Sequence, residues 1–221
     1  MGVGFEAEFP VWEKLSEDQR AWLSRCVRER EVSRGTVVHG DGVDCTGLLL
    51  VRTGQLRAYI LSDEGREITI YRLLPMDMCL FSASCVLRSI QFQITVEAEK
   101  DTRFWIIPAQ DYRRLMEESA PVANYTNEVM AGRFSQVMWL MEQIMWKSFD
   151  RRLAGFLLEE SALEETLRLP LTHEAIAHHL GSAREVVTRM LRYFQEEGLV
   201  HLARGVVELT DEKALRSLAG G

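Results

Sequence analysis

The stretch THEAIAHHLGSAREVVTRMLRYF, residues 172–194, decides how the chain reads. Ile176, Ala177, Leu180, Gly181, Val187, Met190 and Leu191 fit the apolar and small positions of two helices joined by a tight bend. Ala177 is small where the helices must cross closely. Gly181 supplies the left-handed residue that a three- or four-residue turn needs, and Val187, six positions later, locks the second helix down. Thr172 and Ser182 stand where N-caps are expected, each ahead of an apolar-periodic run. The 3.6-residue period turns Val187, Met190, Leu191 and Phe194 inward and leaves Arg184, Glu185, Thr188, Arg189 and Arg192 on the opposite face.

Such a face has the chemistry of a base-reading helix. Guanidinium forks pair with guanine O6 and N7, a carboxylate accepts from cytosine N4, and a threonine can touch a thymine methyl. Backbone amides at the Ser182 end can hold a phosphate. Plainer readings stand beside this one. Ser182-Ala183-Arg184-Glu185 is also a Ser-x-x-Glu capping box, which would tie Glu185 back to the Ser182 amide, and arginines on a helix face can simply be solvated.

Working outward, the unit from about Phe149 reads as a helix (DRRLAGFLLEESA), a loop to Leu171, the two helices above, a short hairpin with its turn at Arg204-Gly205, and a final helical turn (TDEKALRSLA). Before it, from Val122 to about Lys147, lies a long amphipathic helix. Its apolar residues Val129/Met130, Phe134, Val137/Met138, Met141 and Ile144/Met145 recur every three or four positions. The apolar face, read as including Trp139 and Trp146, is larger than one side of a small sheet domain needs to cover. Core packing and a subunit interface both account for it; a helix of this length between two domains favours two-fold pairing.

The first part of the chain reads as short strands separated by turns: TVVHG, GLLLVRTG, QLRAYILSDEG, REITIYRLLP, FQITVEAE and TRFWIIP, with Gly35, Gly40, Gly54 and Gly65 as punctuation. This pattern predicts a β-sandwich, barrel or roll, preceded by a helix over residues 15–30.

Whole-chain properties bound the function. The formal net charge of −7 excludes coating of nucleic acid by charge alone, so DNA contact must come from a local patch. Asp150 to Gly221 carries 9 Lys and Arg against 12 Asp and Glu, while Ser182 to Gly205 carries 4 Arg against 3 acids; specific contacts must therefore supply affinity. Cysteines 26, 45, 79 and 85 form no CxxC pair and no finger-like cluster, and are expected as reduced thiols. No stretch approaches a membrane span and the N-terminus lacks a secretion signal, so a cytoplasmic protein without membrane contact is expected. No GxSxG, P-loop, HExxH, GxGxxG or paired-carboxylate pattern is present, and His178-His179 lacks a third ligand at useful spacing, which predicts no enzyme. The remaining rival is a protein-binding winged helix carried on a scaffold roll.

The chain resembles the CRP/FNR superfamily of bacterial transcription regulators over nearly its whole length. LTHEAIAHHLGSAREVVTRMLRYFQEEGLVHLARGVVELTD is similar to that family's winged helix-turn-helix, FDRRLAGFLLE to the segment that opens it, and LLLVRTGQLRAYILSDEGREITIYRLLPMDM to its sensory roll. The resemblance implies an α+β fold: an antiparallel β-roll (double-stranded β-helix, cupin-like) over residues 1–120 that senses an effector, a dimerisation helix over 121–148, and a winged helix-turn-helix over 149–221. It implies double-stranded DNA, a second copy of the chain, RNA polymerase and a small-molecule or redox effector as partners. It also implies that Arg184, Glu185 and Arg189 contact base edges, with Thr188 tuning the half-site. That combination is the one of members reading TGTGA-like half-sites in an inverted repeat. Thr172, Ser182 and Arg192 complete the surface assigned to DNA.

Departures from the family concern the effector. Cyclic-nucleotide-binding members carry a Pro-Gly-Asp turn, then a Gly-Glu pair, then an Arg-Ser. Here the turn is Pro75-Met76-Asp77, the carboxylate and glycines are missing from the segment to Cys85, and Arg88-Ser89 falls early, which argues against cyclic AMP. Cys26 alone cannot supply the cysteine group of the cluster-bearing members. Cys79, Leu80, Phe81, Ser82 and Cys85 are the candidate effector-site residues. A thiol sensor, buried structural thiols, haem through His39 and an apolar small molecule all remain open, so the cofactor is unknown.

Overall fold

The computed structural model describes residues 4–40, 47–80, 82 and 94–220. Contacts divide the chain into two units: Met1–Ile60 with Ile70–Val137, and Leu61–Thr69 with Met138–Gly221.

The first unit opens with α1 (Phe5–Glu8), a 3-10 turn (Trp12–Lys14) and α2 (Glu17–Cys26). Ser16 and Gln19 form a reciprocal capping box at the start of α2. Strands β1 (Arg28–Val32), β2 (Val37–His39), β3 (Leu48–Thr53), β4 (Leu56–Leu61), β5 (Glu67–Leu73), β6 (Met78–Cys79), β7 (Thr95–Ala98) and β8 (Thr102–Ile107) follow. They build two four-stranded sheets, ordered β1-β8-β3-β6 and β2-β7-β4-β5, and every described register is antiparallel. This is the expected antiparallel β-roll.

Strand β3 explains the uninterrupted apolar run at Leu48–Val51. Successive side chains point to opposite faces of a strand: Leu48 and Leu50 join the core that holds the N-terminal helices, Tyr112 and Leu115, whereas Leu49 and Val51 join the core between the sheets. A strand covered on both faces shows no polar alternation. Strand β4 alternates instead, with Leu56 and Ala58 in the inter-sheet core and the Arg57 guanidinium 4.1 Å from the Tyr59 ring centroid on the other face. Gly54 ends β3 at φ +88°, and a Cβ there would collide with the Asp101 carbonyl oxygen, so this turn admits only glycine.

The helix expected over residues 15–30 stops at Cys26, and Arg28–Val32 is an edge strand on β8. Its charged sequence, REREV, masks it. Glu31 pairs with Arg103 at 2.9 Å and Glu29 with Arg52 at 2.6 Å, and charges on an edge discourage further strand addition.

Helix α3 (Ala109–Glu118) leads into α4 (Ala120–Trp146), which carries Pro121 in its first turn, where a missing N–H costs no intrahelical bond. Only Val122, Thr126 and Arg133 of α4 are buried. At about 100° per residue, Phe134, Met138, Met141 and Met145 form one exposed stripe, and Trp139 and Trp146, also exposed, lie well to its side. The single apolar face expected from sequence is therefore a stripe plus a separate tryptophan pair.

The second unit holds α5 (Phe149–Glu164), β9 (Arg168–Leu169), α6 (His173–Leu180), α7 (Arg184–Glu196), β10 (Val200–Ala203), β11 (Val206–Leu209) and α8 (Glu212–Ala219). Leu153, Leu157, Ile176, Val187, Leu191 and Phe194, from three helices, are fully buried in one core. Removing each such side chain from water contributes roughly 1.5–3 kcal/mol, an upper bound. The expected hairpin is β10–β11, turning at Gly205. Its third strand, β9, falls in what reads as a loop, because two residues are too few to show a period; Leu169 pairs with Val207. The segment Leu61–Thr69, which runs from the end of β4 through the turn into β5, also belongs to this unit: Ile68 bridges Leu180, and Thr69 Oγ1 lies 2.8 Å from His179 Nδ1.

Candidate nucleic-acid interface

Helix α6 starts where the sequence places its cap. Thr172 Oγ1 accepts from the Ala175 amide at 3.1 Å. It ends at Gly181, φ +63°, in a Schellman arrangement: the Gly181 and Ser182 amides both return to the Ala177 carbonyl, Ser182 at 3.0 Å. A Cβ on Gly181 would lie only 3.0 Å from Ile68 Cδ1.

This closure corrects the expected cap on α7. The N-cap is Ala183, without a side-chain hydrogen bond, and the Ser182–Glu185 capping box does not form. The physical reason is that the Ser182 amide, which Glu185 would have to engage, is already committed to α6. Glu185 stays exposed and is released to the outer face.

That outer face is a shallow groove lined by Arg184, Glu185, Thr188, Arg189 and Arg192, and further along by Tyr193 and Glu196. Arg184, Glu185, Arg189 and Arg192 are exposed, while Val187, Leu191 and Phe194 on the inner face are fully buried. Arg184 makes one long ion pair, Nε to Glu174 Oε2 at 3.8 Å, which is weak at such exposure. Thr188 is half-buried, and its hydroxyl works internally. It donates to the Arg184 carbonyl at 2.9 Å and meets His173 Nδ1 at 2.9 Å, so its methyl is what remains to offer a base. Burial, then Arg184 and Arg192, hold the His173 imidazole below its ordinary value. Thr172 and Ser182 sit at the ends of α6 rather than on the α7 face. The sequence reading missed His173 and Tyr193; an exposed aromatic one turn past Arg189 is a visible signal, whereas nothing in sequence links His173 to Thr188.

On the sensor side, Cys79 and Ser82 are fully buried and Leu80 nearly so; Phe81 and Cys85, like Cys45 and Arg88-Ser89, lie outside the described residues. Cys79 belongs to the inter-sheet core and Leu80 to the helix-side core, and Ser82 Oγ donates to the Cys79 carbonyl at 2.8 Å. Beside them Arg133 reaches in from α4. It pairs with Asp77 at 3.3 Å and stands 4.5 Å from the Tyr71 ring centroid. Burial, with Cys79 next to it, pushes the Tyr71 phenol up. The turn Leu74-Pro75-Met76-Asp77 closes by Asp77 N to Leu74 O at 2.9 Å, with Met76 at φ +75° where the family pattern has glycine. Burial and the Asp111 carboxylate push the Cys26 thiol up to about 11, so it stays protonated at neutral pH. Burial lowers His39. Among the described residues no group of three His, Cys, Asp or Glu could hold a metal, and no helix is long and apolar enough to cross a membrane.

A β-roll, a long helix and a winged helix-turn-helix with an outward arginine face define a class of DNA-binding regulators. The comparisons agree. Residues 29–119 match the cyclic nucleotide-binding domain family and residues 151–218 the Crp-like helix-turn-helix domain family. A crystal structure described as a Crp/Fnr-family transcriptional regulator from Eubacterium rectale is 61% identical, covers 97% of this chain and 100% of that one, and superposes with a TM-score of 0.95. The transcriptional activator protein FnrA of Stutzerimonas stutzeri is 26% identical over 88% of this chain and 81% of its own. The cyclic AMP receptor protein of Thermus thermophilus is 26% identical over 96% and 97%. The chain belongs to the CRP/FNR family of DNA-binding transcription regulators, which are not enzymes.

Proposed function

We propose that this chain, paired through α4, reads an inverted-repeat operator in the cytoplasm and meets RNA polymerase there. A small molecule or redox change in the roll, other than cyclic AMP, controls it. The observation that carries the DNA reading is the division of α7: Val187, Leu191 and Phe194 fill the core on its inner face, while Arg184, Glu185 and Arg189 are exposed on the outer one, where the long Arg184–Glu174 contact is the one ion pair described among them. Pairing is supported by the uncovered stripe at Phe134, Met138, Met141 and Met145. The missing carboxylate and glycines after Asp77, and the early position of Arg88-Ser89, support an effector other than cyclic AMP. Control by population shift follows if the effector binds one arrangement of the paired helices better than another.

The test is binding to an inverted repeat of TGTGA half-sites against a scrambled duplex of equal length. The expected preference is about 10³-fold or more, with log affinity falling linearly in log salt. Equal binding to both duplexes removes the sequence-specific reading and leaves the protein-binding winged helix in its place.

A further inference from the structure

His173 opens α6 and sits against α7. Its Nδ1 is 2.9 Å from Thr188 Oγ1, and Thr188 Oγ1 is in turn 2.9 Å from the Arg184 carbonyl oxygen. A threonine hydroxyl has one proton, and a carbonyl can only accept. That proton goes to Arg184, so Thr188 Oγ1 accepts from His173, and the imidazole proton is fixed on Nδ1. Nε2 is left as a bare lone pair.

The charged groups facing this ring are Arg184 and Arg192 of α7. On its own helix, the adjacent Glu174 pairs with Arg184 at 3.8 Å and with His178 at 3.5 Å. The ring is thus a half-buried base beside two guanidiniums and the N-terminus of an eight-residue helix. Each of these opposes a second proton on the ring. A duplex docked on α7 reverses the sign, because phosphate oxygens neutralise the guanidiniums and attract a cation.

We propose that His173 is a proton-linked DNA contact: neutral in the free chain, it takes a proton from solvent at Nε2 when a duplex docks and donates that N–H to a backbone phosphate oxygen. The inference rests on the DNA reading above and adds a regulator to it, since the same operator is then held more tightly as pH falls. Phosphate rather than a base edge is the partner because the side chain issues from the first turn of α6, not from the base-reading face of α7. The imidazole is oriented by Thr188, so the residue that tunes the half-site also sets the tautomer of its neighbour.

The experiment follows the imidazole nitrogens by NMR across pH 5.5–8, in the full chain alone and with the TGTGA inverted repeat or the scrambled duplex at low salt, with affinities measured alongside at fixed ionic strength. The free chain shows the Nδ1–H tautomer, and His173 titrates below the ordinary imidazole value. In both complexes the His173 midpoint rises. Binding to both duplexes strengthens by up to about tenfold for each pH unit between the free and bound midpoints. H173N keeps an amide donor for Thr188 but cannot titrate. Subtracting its profile removes the contributions of His39, His178, His179 and His201, and the remaining pH dependence of the wild type is the His173 term. Binding that leaves the His173 midpoint where it was, a free chain with the proton on Nε2, or an H173N profile identical to wild type overturns the proposal. A gain seen only with the inverted repeat moves the contact from phosphate to base and overturns it as stated. Failure to bind either duplex is a different result: it removes the DNA reading itself.

Discussion

Helices α4 and α7 are both amphipathic, yet they use their apolar residues in opposite ways. In α7 the apolar positions Val187, Leu191 and Phe194 vanish into the chain's own core and the charged side is displayed. In α4 no residue from Phe134 to Trp146 is buried, and the apolar side is displayed. A covered stripe belongs to the fold of one chain. On the pairing proposed above, an uncovered one of this length belongs to an assembly, since monomers rarely leave contiguous apolar surface in water.

The contrast can be broken most severely on α4. Phe134→Glu combined with Met141→Glu puts two carboxylates in the exposed stripe; sedimentation should then show a single chain, and affinity for the inverted repeat should drop by about 10³-fold as the second half-site is lost. Trp139→Gln, off the stripe, should leave the pair intact, and dissociation by that change would show the stripe to be wrongly drawn. On α7 the same kind of position acts on folding. Leu191→Ala should cost about 2–5 kcal/mol in denaturant unfolding of the second unit; a loss under 1 kcal/mol would mean the core is not packed as described.

Smaller effects separate display from support. Arg189→Ala should weaken the preferred duplex by roughly 1–3 kcal/mol and barely affect a scrambled one; equal losses would reassign Arg189 to phosphate. Thr172→Ala removes a cap bond and should lower stability by about 1 kcal/mol while sparing the preference among duplexes.

These differences mirror what the sequence could say. The helix-turn-helix was legible residue by residue, since Ala177, Gly181 and Val187 report a bend directly and the period assigns each face. The roll was legible in outline, through its short strands and the glycine turns between them; that Leu48–Val51 feeds two cores is visible only in the structure. What escaped is what periodicity cannot encode: β9 is two residues long, and β1 is charged throughout its exposed length. The Ser182 cap failed because two helices compete for one amide, a three-dimensional conflict. Arg133 reaching Asp77, and His173 reaching Thr188, join residues far apart on the chain that carry no shared pattern.

On the paired reading, the bare stripe of α4 also makes gene control a matter of supply. Far below the dissociation constant of the pair, two-headed protein scales with the square of chain concentration, so halving the number of chains removes about three-quarters of it. A modest change in synthesis or turnover then acts as a threshold even when the signal in the roll is constant.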